Sequence, residues 1–192
     1  MNDLSPEQFT HLVLIAAAPP HRVGQGVARL IGEEITIGPL HVGPGGMATA
    51  TATGVRGQVH VAIAEDAEWR QIVIVPISLS VDVRIGGRTV RYYGAVQVQT
   101  RVRLRLEQPC TVAVDVEDIE ARNIRTVITP VGFAARVVGR IGNVTETVAE
   151  HVLSYVRELV ESQDFVAAMH IDVIGLMRRA WDADLVVQLP PR

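Results

Sequence analysis

Six histidines, one cysteine and five serines are the side chains that could ligate a metal or act as nucleophiles. Their spacing gives no reactive arrangement. His11, His21, His41, His60, His151 and His170 form no H-x-H and no H-E-x-x-H pair, the spacings that aim two imidazoles at one zinc ion. His170-Ile171-Asp172 is the one close pairing of a histidine with a downstream carboxylate. It reads as a metal half-site or as a histidine beside a helix cap. No serine stands in a G-x-S-x-G elbow. Lysine is absent, so a P-loop cannot form in its usual shape. Gly24-Gln25-Gly26 begins like a dinucleotide fingerprint, but Arg29 occupies the third glycine position. Cys110 falls on the apolar parity of a predicted strand, which predicts a buried, inert thiol.

Charge clusters in two places. Asp115, Glu117, Asp118 and Glu120 offer oxygen ligands of the kind calcium takes. The neighbouring Arg101, Arg103 and Arg105 offer the alternative of a cross-strand charge network. The arginine ladder could also meet lipid phosphates or a partner protein. Aromatic residues make up only 4% of the chain, so a base-stacking platform for nucleic acid is not expected. No catalytic residue, metal site or cofactor is predicted, and the chain reads as a non-enzyme.

The 192 residues suit one domain spanning residues 1–192. They are 48% hydrophobic with a net charge of −3, enough for a sizeable core and too balanced for a basic arm or an acidic tail. All 18 basic residues are arginine, a composition that GC-rich coding produces. A single cysteine excludes an intramolecular disulfide framework and a multi-cysteine zinc site. Leu12–Ala18 is too short to span a bilayer and follows Asp3 and Glu7 with no arginine or lysine before it. A cytoplasmic protein without stable membrane insertion is therefore expected. Asn143-Val144-Thr145 matches a glycosylation sequon but sits within a helical pattern.

The elements that must position any site follow the order helix, sheet, helix. Residues 1–32 hold N-terminal helices: Ser5-Pro6-Glu7-Gln8 opens one over residues 5–18, and a second covers 21–31. Residues 33–129 alternate with period two and predict strands. The central hairpin is the strongest pattern. Apolar residues fall on odd positions from Trp69 to Ile85 and on even positions from Val90 to Leu106, around a Gly86-Gly87 turn. That parity pairs Val83 with Val90, Val81 with Tyr92 and Asp82 with Arg91. A further strand, Cys110 to Glu117, is expected to pair Val102 with Val114 and Arg101 with Asp115. Met47–Thr53, residues 59–63, Ile35–Ile37 and residues 119–128 predict shorter strands.

Residues 130–182 predict C-terminal helices. Val138, Ile141, Val148, Val152, Tyr155, Val156 and Leu159 form one stripe of a helix reaching Ser162, roughly 48 Å long. Gly132, Gly139 and Gly142 weaken its first half. Asp172 is the predicted cap of a shorter helix over Val173–Trp181, and residues 183–192 form a tail in which Leu185–Leu189 could add a strand.

The expected fold is thus α+β: a long curved antiparallel sheet of about 5–7 strands, N-terminal helices, and a long C-terminal helix on its apolar face. Both faces of that contact are aliphatic. They either pack tightly or enclose an apolar cavity. The candidate lining is Val75, Ile77, Val96, Val98, Val114, Ile141 and Val148.

The opening Ile35-Thr36-Ile37-Gly38-Pro39-Leu40, the paired strands 69–106 and the long helix ending before Met169-His170-Ile171-Asp172-Val173 resemble one module of the tubular lipid-binding (TULIP) superfamily, which includes bactericidal permeability-increasing proteins and bacterial relatives. The resemblance spans about residues 20–180. It implies a sheet curled around a long helix, with lipid or another hydrophobic small molecule carried between them, and transient membrane contact. A helix-grip, START-like fold is the rival, with an enzyme using His60 or a cavity carboxylate as its functional form. A third possibility is an assembly module, a homodimer joined through a sheet edge or the arginine face.

Overall fold

The computed structural model of the protein describes residues 3–63, 70–132 and 144–185. Two helices, α1 (Pro6–Ala17) and α2 (Pro20–Ile31), lead into a curled, eight-stranded antiparallel sheet. Its strands are β1 (Glu34–Val42), β2 (Ala48–Arg56), β3 (His60–Ile63), β4 (Arg70–Ile85), β5 (Arg88–Glu107), β6 (Thr111–Val116), β7 (Ile124–Pro130) and β8 (His170–Asp172). Helices α3 (Val144–Glu161) and α4 (Gln163–Ala168) precede β8, and α5 (Val173–Asp182) follows it.

The helices start where local chemistry predicts. The Gln8 N–H donates to the Ser5 Oγ at 3.1 Å, and the Ser5 N–H donates to the Gln8 Oε1 at 3.0 Å, a reciprocal cap on α1. Asp172 caps α5 by accepting the Gly175 N–H at 2.9 Å. Proline at the first position of α2 costs no helical hydrogen bond.

The β4–β5 hairpin has the predicted register: Ile85 pairs with Arg88, Val83 with Val90, Asp82 with Arg91 and Val81 with Tyr92. Gly86 and Gly87 have φ of 54° and 74°, the left-handed pair that a two-residue turn requires. Odd residues from Val73 to Val83 are buried, as are Val90, Tyr92, Val96, Val98 and Val102. The dry stripe stops short of Leu106, which is 55% exposed near the end of β5.

Different strands flank the two ends of this hairpin. Along the half next to the turn, β2 pairs with Ile77–Ile85 and β7 with Tyr92–Val98. Along the other half, β3 pairs with Gln71–Ile74 and β6 with Val102–Glu107. Outside β2, β1 bulges between Ile37 and Leu40. Gly38 sits there at φ 108°, and a Cβ on it would stand 2.7 Å from the Ala50 carbonyl oxygen, so only glycine fits.

Several expectations change. β6 pairs Leu104 with Val114 and Arg103 with Asp115, two residues from the predicted register. A slip of two keeps every side chain on its face, so alternation cannot detect it. The three-residue loop 108–110, which sets Glu107 opposite Thr111, decides it. Cys110 belongs to that loop and is exposed; its parity had no strand to act through. His170–Asp172 is a strand on β6, where only a helix boundary was expected. The strand predicted over 119–128 runs from Ile124 to Pro130, after a short 3-10 turn at Ala121–Asn123.

The described part of the long C-terminal helix, α3, has 18 residues and is about 27 Å long. Trp69, Val138, Gly139, Ile141, Gly142, Asn143 and the tail beyond Leu185 lie outside the described residues. One core cluster joins β1, β2, β4 and β5 to Val148 and Val152 of α3.

Candidate functional site

Helix α2 carries Val23, Val27, Leu30 and Ile31 at helical spacing, a stripe that must be covered. It approaches β3 closely at Gly24, where a Cβ would meet Val61 Cγ2 at 3.4 Å. On the other side, α4 buries Phe165, whose N–H donates to the Ser162 Oγ at 3.3 Å. That cap fixes where α4 begins and therefore where the phenyl ring stands.

Between these helices and the sheet lies a cavity of about 210 Å³. Its floor is Val73, Val75 and Ile77 of β4, Val98, Thr100 and Val102 of β5, and Val114 and Val116 of β6. Its roof is the α2 stripe, Tyr155, Val156, Leu159 and Val160 of α3, and Phe165 with Met169. An apolar cavity of about 150 Å³ already stays dry and admits a benzene-sized guest.

Four of the seven candidate residues, Val75, Ile77, Val98 and Val114, line this cavity. Val96 and Val148 do not. They are 2% and 8% exposed, packed in the core toward the turn half, where α3 rests on β7. Ile141 lies outside the described residues. The walls from α2 and α4 were not anticipated. The stripe of α2 was visible, but periodicity reports a covered face without saying what covers it or how tightly.

Polar groups are few. Among the described residues, Arg22 is the one charged side chain of the lining; Thr100 and the Tyr155 phenol add hydroxyls. Arg22 is exposed in the first turn of α2, at the cavity rim, and has no ion pair among the described residues. Beside the lining residues Ala18 and Val73, Gln71 is 7% exposed. Its Nε2 donates to the Ala18 carbonyl at 3.0 Å, while its Oε1 is buried without a partner among the described residues. An orphaned acceptor of that kind costs about 1–3 kcal/mol until a donor reaches it.

The other chemistry-bearing residues are engaged elsewhere. Asp115 takes a bidentate pair from Arg105 at 3.0 and 3.2 Å, with Arg103 at 3.6 Å. These guanidiniums hold its carboxyl below the usual range, the Arg105 hydrogen bond first among them. Glu120 pairs with Arg122 at 3.1 Å. Asp82 is lowered in the same way by Arg91, bound at 2.7 Å. Burial pushes the Tyr92 phenol up. His170 Nδ1 donates to the Val166 carbonyl at 2.9 Å, and Asp172 is occupied by its cap. His60 is exposed on β3, away from the cavity lining.

The chain matches no protein family and no curated protein. Among the described residues, no helix is long and apolar enough to cross a membrane.

Proposed function

We propose that this protein binds or carries a lipid or other hydrophobic small molecule in the cavity between the curled sheet and helices α2, α3 and α4, as a module similar to the tubular lipid-binding proteins. One observation carries the reading: a 210 Å³ space walled almost wholly by aliphatic side chains. The space is partly open to solvent, and apolar surface left facing water costs about 25 cal/mol per Å². An apolar guest relieves that cost without polar chemistry.

Native mass spectrometry of the purified chain, followed by solvent extraction, tests it. Recovery of a stoichiometric hydrophobic compound, or uptake of one from an added lipid mixture, supports the reading. A ligand-free mass that persists through the mixture overturns it.

The same spectrum addresses a second reading, assembly with another chain. Large apolar side chains are exposed on α1 and α5, Phe9 at 60% and Trp181 at 62%. Exposed apolar surface of this kind favours a protein contact. A dimer mass with an empty cavity would move the assignment to assembly.

A further inference from the structure

We propose that the ligand is a single-chain amphiphile with an acidic head, and that Arg22 receives this head at the rim of the cavity. The inference rests on the hydrophobic-ligand reading above and names the ligand class.

Three observations lead to it. The first is charge. Arg22 is the one charged residue in the lining of the described residues, and a guanidinium stays charged at any working pH. Among the described residues the lining holds no carboxylate, so a cationic head would meet the Arg22 charge with no counter-charge there. The second is availability. Arg91, Arg103, Arg105 and Arg122 each hold a carboxylate at 2.7–3.6 Å, whereas Arg22 holds none among the described residues. Its position in the first turn of α2 adds the positive end of a twelve-residue helix, which has no side-chain cap at Pro19. The third is size. Pockets for drug-sized ligands usually run to about 300–1,000 Å³. A cavity of 210 Å³ suits one chain better than the two of a diacyl lipid.

An aliphatic tail lying against Val75, Val98 and Leu159 places the head at Arg22, the one charged lining residue among the described residues. The shared chemistry is an anion on an alkyl chain, and a carboxylate or a phosphate monoester can supply it.

Isothermal titration of decanoate, decyl phosphate and decanol into the full chain tests the proposal, using wild type, Arg22→Gln, Arg22→Lys and Val98→Trp. Wild type should prefer an acid over decanol. Arg22→Gln should weaken the acid about fivefold, the scale of one partly exposed charge pair, and leave decanol within about twofold. Arg22→Lys should restore part of the preference. Whichever acid shows the larger Arg22 dependence identifies the head. Equal binding of acid and alcohol, unchanged in Arg22→Gln, overturns the acidic head while leaving the cavity reading intact. Failure of all three compounds to bind, or unimpaired binding to folded Val98→Trp, overturns the cavity reading itself. Thermal unfolding of each variant confirms the fold.

Discussion

Strands β4 and β5 carry the same kinds of residue from end to end, yet their two halves have different interiors. Beside the Gly86-Gly87 turn, Val81, Val83 and Tyr92 are each 1% exposed and sit among Ala48, Ala50 and Ala52 of β2. Small alanines let the layers close, and the Tyr92 ring fills what remains. In the other half, Val73, Val75, Val98 and Val102 face helices rather than a tightly folded sheet edge. A helix is a cylinder about 10 Å across. Three of them meeting a curved aliphatic floor leave space unless large rings fill it. The rings available there, Tyr155 and Phe165, belong to the helices and form walls. The difference between core and cavity therefore arises from what is laid over the strands.

The largest effect should come from breaking the filled half. Tyr92→Ala should lower stability by about 3–5 kcal/mol, the range for removing a buried aromatic ring. Val75→Ala in the hollow half should cost only about 1–2 kcal/mol, because the lost methyl groups open onto existing space and add little cavity energy. Val83→Ala beside the turn removes the same two methyl groups as Val75→Ala and should cost more. Urea unfolding measures all three variants, and this matched pair gives the comparison. Equal losses within the pair would mean that the two halves are equally packed.

Adding bulk reverses the comparison. Val83→Trp should destabilise by at least about 1–3 kcal/mol through overpacking. Val98→Trp should keep near wild-type stability, since the indole has room in the cavity, and should lose hydrophobic-ligand uptake. Melting temperatures with a lipid-uptake assay on both proteins would separate the halves a second time.

Much of this arrangement is legible in the residues. Gly86-Gly87 and the odd-to-even switch of the apolar positions leave one sensible hairpin register, and Asp82 opposite Arg91 follows from it. Register is less legible where only alternation speaks. Val114 opposite Val102 or Leu104 satisfies the same pattern, and three loop residues make the choice. Cys110 shows the same limit at a strand end, where one residue of boundary decides between core and water. β8 has three residues, too few for any period to register. The cavity lies deeper still. Val75 and Val96 are both apolar residues on the inward face of the hairpin, yet one lines the cavity and the other is packed. Nothing local to either residue distinguishes them, because the distinction lies in α2 and α4. Arg22 was hidden for the same reason: a lone arginine acquires meaning only when its helix is seated over the space.

The wet face offers the smallest and sharpest contrast, because there the two halves are alike. Asp82 near the turn and Asp115 near the open end each hold a bidentate arginine, and both carboxyls are held below their ordinary range by it. A carboxylate lowered in the folded state stabilises the protein fully above its unfolded value, near pH 4. That contribution fades as pH falls through the folded value. Both pairs are exposed, so acid should weaken the two halves by similar small amounts, in contrast to the core substitutions. Carbon-detected NMR titration of the two aspartates resolves them individually. Arg91→Gln should return Asp82 most of the way to the ordinary range, with Arg84 still drawing it down, and leave Asp115 unmoved. Arg105→Gln should raise Asp115 only part of the way, because Arg103 remains 3.6 Å from it. A full return of Asp115 in that variant would show that Arg103 contributes nothing, and that Arg105 alone holds this carboxylate.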